Sequence, residues 1–231
     1  MLGARGWRRR AGPLCWLAMR IIAGTYRSRA IAAPRGLGTR PTSDRMRETL
    51  FNVLSPRIGE AAFLDLYAGS GAVGIEALSR GVVRITFVER APAALRVLRQ
   101  NLERLGIESG FRLDAGSVGA FLRSAAQGGQ KPEIGEKVGG EEHYDIVFLD
   151  PPYDEVEQYR STLGLLGGAA ARLLAPGAVV IAEHSRKHAL DERYGGLVRM
   201  RLLEQGDAAL SFFTMAPVGR RGRGAASSNE Q

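Results

Sequence analysis

The stretch AFLDLYAGSGAVGIEALSRGVVRITFVER, residues 62–90, decides the fold of this chain. It opens with a short apolar run that ends in glycine, continues with a helical segment closed by Gly81, and ends with a second apolar run. A strand, a glycine turn, a helix and a second strand in this order form a βαβ unit, which joins two parallel strands. The stretch therefore predicts the first two strands of a parallel sheet.

Strands and helices keep alternating along the chain to residue 184, which predicts a parallel sheet covered by helices on both faces. The further strands are expected at 110–116, 144–150 and 177–184, and the further helices at 91–106, 118–126 and 156–174. The last apolar runs, within 197–216, meet at a Gly-Asp pair, a hairpin signal that adds an antiparallel edge. The expected fold class is thus α/β, with a doubly wound, mostly parallel seven-stranded sheet of Rossmann-like type.

Three glycines follow the first strand in the spacing G-x-G-x-x-G, at Gly69, Gly71 and Gly74. Glycines at these places let the backbone approach a ligand closely and let the helix pack on the strand. Glu89 stands twenty residues after Gly69, at the end of the second strand, where an acid typically binds ribose hydroxyls. This pattern alone fits NAD and S-adenosylmethionine (SAM) about equally.

Asp65 lies inside the first strand, four residues before the glycine turn. A carboxylate at this place is costly to bury unless something pairs with it. SAM carries an ammonium and a sulfonium, whereas NAD brings a pyrophosphate, which prefers the amides at a helix end. The acid therefore favours SAM as the cofactor. A structural hydrogen bond between Asp65 and the turn is the alternative interpretation.

The fourth strand ends in the sequence DPPY, residues 150–153, where two prolines stop the strand. In a doubly wound sheet this turn lies at the carboxyl edge, beside the cofactor crevice. The Asp150 carboxylate and the Pro151 carbonyl converge because proline restricts the backbone, and two acceptors suit an –NH2 group. Pro152 keeps the turn rigid, and Tyr153 can stack on a base. The motif predicts methyl transfer to an amino group, with a proline-rich loop of no function as the alternative.

The net charge of +8 lies in the flanks of the chain and not in its centre. Residues 20–57 hold eight arginines against two acids, whereas residues 58–215 carry a net charge of −4. Residues 20–35 predict two short strands around a turn. After Pro41, apolar residues at positions 46, 50, 53 and 54 follow the period of a helix, which Pro56 ends. A polyanion would therefore bind the N-terminal segment.

Taken together, these motifs resemble those of a known family. The glycine turn, Glu89 and DPPY in this order are similar to those of class I SAM-dependent methyltransferases that act on exocyclic amino groups. MRIIAGTYRSRAIAAP (19–34) and RPTSDRMRETLFNVL (40–54) ahead of them resemble the RsmD family of 16S rRNA guanine-N2 methyltransferases. The second segment discriminates, since methylases of adenine, cytosine and glutamine amides share DPPY. The resemblance covers Met19 to about Pro217.

The resemblance implies a role for each matching residue. The cofactor would be bound by Asp65, Tyr67, Ala68, Gly69, Ser70, Gly71, Glu89 and Ser117. The guanine amino group would be received by Asp150, Pro151, Pro152 and Tyr153. RNA would be contacted by Arg27, Arg29, Arg40, Thr42, Arg45 and Arg47. The adenine contact has two candidates, because Ser117 occupies the family's usual position while Asp114 lies three residues earlier.

The resemblance also divides the chain into parts. Residues 1–18 are expected to be a disordered basic extension, and residues 19–57 a β-hairpin and helix that contact RNA. Residues 58–217 are expected to form the methyltransferase domain, and residues 218–231 a disordered tail. Residues 128–143 are polar and rich in glycine, which predicts a surface loop; it is longer than the family needs and has no assigned function.

Composition limits the remaining possibilities. A single cysteine, Cys15, excludes an internal disulfide framework and fits a reducing compartment. The three histidines do not combine with it in a metal-ligand spacing. No apolar run reaches the length of about 18 residues that a membrane span needs. We expect a cytoplasmic monomer without a metal or membrane contact, whose partner is 16S rRNA or the 30S assembly particle.

Two rival functions remain open at this point. One keeps the chemistry but changes the acceptor, to N6 of adenine in DNA or to a glutamine amide in a protein. The basic segment argues against the protein amide and does not exclude DNA. The other rival is an RNA-binding ribosome-assembly factor with a vestigial methylase site. Intact Asp65, Glu89 and Asp150 argue against it.

Overall fold

The computed structural model describes residues 17–33, 44–128, 134–135, 143–152 and 155–217. The elements in chain order are β1 (Leu17–Arg20), β2 (Ala30–Ala33), α1 (Asp44–Leu54), β3 (Ala62–Leu66), α2 (Ala72–Ser79), β4 (Arg84–Val88), α3 (Pro92–Leu105), β5 (Phe111–Asp114), α4 (Val118–Ala126), β6 (Ile134–Gly135), β7 (Tyr144–Leu149), α5 (Val156–Leu166), a 3-10 turn (Ala171–Leu173), β8 (Leu174–Ser185), β9 (Arg193–Tyr194), β10 (Leu197–Gln205) and β11 (Ala208–Met215). Outside the described residues lie Arg40, Thr42, Tyr153, residues 1–16, the tail from 218 and most of the expected loop at 128–143.

The central sheet has nine strands in the order β6-β5-β4-β3-β7-β8-β11-β10-β9. Five neighbouring strands, β5 to β8 in this order, are parallel, and β11 and β10 add the expected antiparallel hairpin. The doubly wound α/β fold is confirmed. The number of seven strands is corrected to nine, because the two-residue strands β6 and β9 at the two edges are too short to show a hydrophobic period in the sequence.

Helices cover both faces of the sheet. Along β3, Phe63 packs in one core and Leu64 in the other, because successive side chains of a strand point to opposite faces. The first core holds α1, α2 and α3 together with the N-terminal hairpin, and the second holds α4 and α5. β4 and β5 lie on one side of β3, whereas β7 and β8 lie on its other side. The sheet therefore has a switch point between β3 and β7.

The N-terminal hairpin is a separate two-stranded sheet in which Leu17 pairs with Ala33. Its first strand thus begins two residues before Met19. The turn of the hairpin packs on the C-terminal end of α2, where the Thr25 N–H donates to the Ser79 carbonyl at 2.8 Å. Gly24 has a φ of 84°, and a Cβ there would lie 1.7 Å from that carbonyl oxygen. The approach therefore requires glycine.

Glu76 of α2 holds the hairpin to the sheet. Its side chain is fully buried, and its two carboxylate oxygens accept hydrogen bonds from the Ile22 N–H at 2.7 Å and the Ala23 N–H at 3.0 Å. Arg80 Nε donates to the same carboxylate at 2.7 Å. Arg47 Nε of α1 lies 4.0 Å from it. One buried carboxylate therefore joins the hairpin, α1 and α2.

The structure corrects the expectation that Arg47 contacts RNA. Its side chain is fully buried, and the guanidinium donates to the Arg20 carbonyl and, at 2.9 Å, to Asp44 Oδ1. Burial lowers the pKa of Arg47, which its acidic neighbours Asp44 and Glu76 counteract. A buried guanidinium cannot reach a phosphate, so Arg47 is a structural residue. Its neighbour Arg45 is exposed, as expected.

No helix in the part of the chain that the structure describes is long and apolar enough to cross a membrane.

We predict that Glu76→Ala lowers the free energy of unfolding by about 3–5 kcal/mol, because it removes the acceptor of two backbone amides and of Arg80 and one of the two acids near buried Arg47. Urea denaturation measures this difference. Hydrogen exchange at the amides of Ile22 and Ala23 should accelerate in the same variant, since both lose their acceptor.

Glu103→Ala is the matched control, because Glu103 is exposed on the surface of α3. Its stability should stay within about 0.5 kcal/mol of the wild type. Equal stabilities of the two variants would show that the buried carboxylate does not hold the hairpin.

Candidate active site

A cavity of about 360 Å³ lies at the carboxyl ends of β3, β4 and β7, beside the switch point. Of the expected site residues, those that line it are Asp65, Tyr67, Ala68, Gly69, Ser70, Glu89, Ser117, Asp150 and Pro152. The structure thus brings the expected cofactor residues and the expected acceptor residues to a single cavity. Gly71 and Pro151 do not line it.

The glycine turn is built by left-handed backbone. Gly69 has a φ of 56° and Gly71 a φ of 79°, and Tyr67 just before them has a φ of 65°. A Cβ on Gly71 would lie 2.2 Å from Leu98 Cδ1, and one on Gly74 would lie 2.2 Å from Phe87 Cε1. Gly71 and Gly74 are therefore needed for packing, and the expectation that Gly71 lines the cofactor cavity is corrected.

Asp65 is buried beneath the cavity, with 2% of its surface exposed. Its Oδ2 accepts a hydrogen bond from the Gly74 N–H at 3.0 Å, so the structural bond to the turn exists. Burial raises the pKa of Asp65 to about 8, and the nearby charge of Glu89 adds to the shift. A cation bound in the cavity would offset this cost, which fits the ammonium and sulfonium of SAM.

Glu89 follows β4, and two backbone amides hold its carboxylate in place. Its Oε2 accepts from the Gly69 N–H at 2.8 Å, and its Oε1 accepts from the Ala91 N–H at 2.6 Å. Each carboxylate oxygen has two lone pairs, so both can still accept a hydrogen bond from a ribose hydroxyl. The position and orientation of Glu89 therefore fit a ribose contact.

Ser117 lines the cavity and Asp114 does not. Ser117 caps α4, with its Oγ accepting from the Ala120 N–H at 3.3 Å. Asp114 has Arg112 as an ion-pair partner at 3.9 Å. Of the two candidates for the adenine contact, the structure thus brings only Ser117, together with Gly116 and Val118, to the cavity wall.

Asp150 and Pro152 of the expected acceptor motif follow β7 and line the cavity. Pro151 between them is buried, and the Tyr159 hydroxyl lies 3.4 Å from its carbonyl oxygen. The same hydroxyl donates to the Glu183 carbonyl at 2.9 Å. Asp150 and Pro152 therefore line the cavity, whereas Pro151 does not, and the role of its carbonyl as second acceptor stays a prediction.

Sequence reasoning missed that the N-terminal hairpin forms part of the cavity. Met19 of β1 and Ala33 of β2 line it, as do Gln158 and Ser161 of α5. No pattern in the sequence predicts that the hairpin lines the cavity. The arginines of the hairpin indicate RNA contact alone. The hairpin is thus also a part of the cavity wall.

Asn101 of α3 connects the hairpin to the glycine turn. Its side chain is buried, and Oδ1 accepts from the Ala32 N–H at 2.8 Å. Its Nδ2 donates to the Ala32 carbonyl and to the Ser70 carbonyl, both at 2.9 Å. One carboxamide thus positions β2 and the turn that lines the cavity. An asparagine on the apolar face of the expected helix was the signal that could have revealed it.

Of the expected RNA contacts that the structure describes, none lines the cavity. Arg27 and Arg29 are exposed near the turn of the hairpin, and Arg29 donates to the carbonyls of Arg104 and Leu105 at the C-terminal end of α3. Arg45 is exposed on α1. Among the described residues, no group of three or more His, Cys, Asp or Glu side chains could hold a metal ion.

Comparisons with known proteins show the family of the chain. The family model described as conserved hypothetical protein 95 matches residues 19–214, a region that includes most of the hairpin and all of the central sheet except its last residue. "Putative rRNA methyltransferase YlbH" of Bacillus subtilis is 35% identical over 183 residues, which cover 79% of this chain and 91% of that protein. "Ribosomal RNA small subunit methyltransferase D" of Escherichia coli is 40% identical over 135 residues, 58% of this chain. The match spans 60% of the Escherichia coli protein, less than two thirds of its length.

Solved structures show the same architecture. "Putative methyltransferase yhhF" of Escherichia coli superimposes with a TM-score of 0.69 and 30% identity, covering 86% of this chain and 98% of that one. A methyltransferase structure complexed with SAH superimposes with a TM-score of 0.62, covering 88% of this chain and 57% of that one. At 14% identity the second likeness shows the fold alone.

We predict that SAM affinity rises with pH between about 6 and 8, because the carboxylate form of Asp65 pairs with the cation. With its pKa raised to about 8, the native carboxyl keeps a proton that the unfolded chain releases above pH 4. The cofactor-free protein should therefore lose stability as the pH rises from about 4 to about 8. SAM binding should release a proton below pH 8.

The variant Asp65→Asn distinguishes the proton that Asp65 releases from any proton that the SAM amino group exchanges. The ordinary pKa of that amino group is near 8, and the same SAM binds to both proteins. Calorimetry in two buffers of different ionisation heat measures the protons released per SAM bound. The wild type should release more protons than the variant. Equal release would show that Asp65 does not titrate with the cofactor.

We predict that Asn101→Ala raises the dissociation constant of SAM about tenfold, because it leaves three backbone groups, two of them buried, without this partner and loosens the glycine turn. Thr86→Val is the control: Thr86 Oγ1 accepts from the Tyr144 hydroxyl at 2.9 Å in the core, away from the cavity. This control should lose stability and keep its SAM affinity. If Asn101→Ala behaved like the control, Asn101 would have no role in positioning the cofactor turn.

Proposed function

The chain belongs to the RsmD family of rRNA methyltransferases, and on this premise we propose that it methylates the exocyclic N2 amino group of one guanine in 16S rRNA with SAM as the methyl donor. The observation that carries the proposal is the shared cavity. Asp65 and Glu89, which line it, suit a cationic nucleoside, and Asp150, which also lines it, suits an amine.

The chain's own residues supply positioning and charge. SAM, when bound, supplies an electrophilic methyl group on a sulfonium. Asp65 provides negative charge for the cationic groups, Glu89 accepts from the ribose hydroxyls, and Ser117 lies at the wall where the adenine would bind. Met19 and Ala33 exclude water from the apolar side of the cavity. These contacts hold the cofactor with its reactive group toward the acceptor side.

On the acceptor side, Asp150 accepts a hydrogen bond from the amino group of the target base. This bond orients the nitrogen lone pair toward the cofactor and stabilises the positive charge that develops on the nitrogen. Pro152 limits the depth of the pocket. The base must leave its stack to reach Asp150, at a cost of a few kcal/mol, which contacts between arginines and phosphates help to offset.

The choice of 16S rRNA rests on the relatives and on charge. One relative is named as a small-subunit rRNA methyltransferase, and Arg27, Arg29 and Arg45 are exposed on the N-terminal segment. We extend the proposal to a cytoplasmic monomer that acts on 16S rRNA or on the 30S assembly particle. Tyr153, Arg40 and Thr42 keep their proposed roles in base stacking and RNA contact.

The test is a comparison of acceptors with radiolabelled SAM. Purified chain is incubated with protein-free 16S rRNA, with small ribosomal subunits, with duplex DNA and with a glutamine-containing protein extract. The proposal expects label in one of the two rRNA-containing samples alone. Label in DNA or in protein would overturn the choice of substrate, and no label in any sample would favour a binding protein without activity.

We predict that Asp150→Ala lowers the rate of methyl transfer at least 100-fold, because the amine loses the group that orients it. SAM affinity should stay within a few-fold of the wild type, since the expected cofactor contacts are on the other side of the cavity. Single-turnover transfer and calorimetry measure the two quantities separately.

Asp191→Ala is the control, because Asp191 is an exposed acid outside the cavity. It should transfer at the wild-type rate. A parallel loss of transfer and SAM binding in Asp150→Ala would mean that Asp150 supports the cavity and does not contact the acceptor.

A further inference from the structure

Most of the length of α3 separates the RNA contact expected at Arg27 and Arg29 from the cavity. Arg29 bonds the C-terminal end of α3, whereas Ala91 and Ala94 at the other end of the helix line the cavity. Ten residues of helix separate Ala94 from Arg104, which corresponds to about 15 Å at 1.5 Å per residue. RNA held by the hairpin turn alone would not be held near the cavity.

The exposed surface of α3, between this contact and the cavity, carries basic side chains. Arg96, Gln100 and Arg104 follow one another at intervals of four residues, so they form a row along the helix. All three are exposed, while the opposite side of the helix packs in the core through Leu98, Leu102 and Leu105. The row contains no acid. Glu103, the one acid of α3, lies beside Arg99 in the neighbouring row.

The arginines of this row are not used to hold the fold. Within the described residues, neither Arg96 nor Arg104 forms an ion pair, whereas Arg90 just before the helix pairs with Glu155 at 3.2 Å. Arg104 contributes only its backbone carbonyl to the contact with Arg29, at 2.8 Å. Both guanidinium groups therefore remain available to a ligand.

We propose that Arg96, Gln100 and Arg104, together with Arg29 and Arg27, form a track that binds the phosphates of the RNA strand and leads it to the cavity mouth. The inference rests on the proposed function and names a second part of its RNA site, on the methyltransferase domain itself. From Arg96 to Arg104 the row rises about 12 Å, so it can contact more than one phosphate. The charges are fixed on a rigid helix.

Two other partners of a basic surface fit less well. A membrane surface would require apolar side chains beside the basic ones. The large apolar side chains that the described residues expose are Val83, Val156, Met200, Leu202 and Met215, and none of them lies on α3. An acidic protein would be expected to bind a surface with apolar anchors at its centre, which this row also lacks.

The experiment measures the binding of the double variant Arg96→Gln/Arg104→Gln to protein-free 16S rRNA and to small ribosomal subunits over a series of salt concentrations. Log affinity falls linearly with log salt, by about 0.7–0.9 per phosphate contact. The slope should therefore decrease in magnitude by about 1.4–1.8 with the RNA form that the wild type binds more tightly. Glutamine and arginine have similar helix propensities, so α3 should be preserved.

Two further variants control for unspecific effects. Arg96→Lys/Arg104→Lys keeps the charges and should keep the wild-type slope. Arg193→Gln/Arg201→Gln removes two exposed arginines from β9 and β10, at the edge of the sheet opposite β5, and should also keep it. SAM affinity and thermal stability should be unchanged in all three.

A wild-type slope in Arg96→Gln/Arg104→Gln would overturn the proposal, as would an equal loss in Arg193→Gln/Arg201→Gln, which would indicate a general effect of net charge. Loss of binding to small subunits with unchanged binding to protein-free 16S rRNA would instead indicate an acidic protein partner, and would also overturn it. The binding assay involves no methyl transfer. Failure of the proposed function would appear in the transfer assay with the wild type, and the two failures are therefore distinguishable.

Discussion

The parallel order of β4, β3 and β7 is the constraint on which this site depends. Parallel strands end at the same edge, so Asp65, Glu89 and Asp150 reach one cavity although 85 residues separate the first from the last. Burial and the nearby charge of Glu89 raise the pKa of Asp65 to about 8, so its charged form is costly when no cation is bound. A cation and an amine are the ligands that relieve this cost, and a one-residue slip of β7 against β3 would turn its side chains to the other face.

The N-terminal segment serves this site in two ways. Glu76 accepts hydrogen bonds from its backbone, and Asn101 pairs with Ala32, so the hairpin is held on α2 and α3 by buried polar groups. Met19 and Ala33 then complete the cavity wall. A segment whose composition predicts RNA contact is therefore also a part of the cavity wall.

Much of the fold and half of the site could be predicted, because regular periods and turn chemistry are local properties of the sequence. Asp65, Glu89 and Asp150 stand at strand ends, where the topology decides their position once the strands are known. Arg47 could not be predicted, since burial of a charge depends on partners such as Glu76 that lie elsewhere in the chain. The two-residue edge strands were missed because they are too short to show a period.

The most direct test of the shared cavity as a site of amine methylation is the mass mapping of nucleosides. 16S rRNA is taken from a strain that lacks this gene and from the same strain after the gene is restored. The account predicts one guanine that gains an N2-methyl group only when the chain is present. Identical methylation in both samples, or a chain-dependent methyl group on adenine in DNA instead, would contradict it.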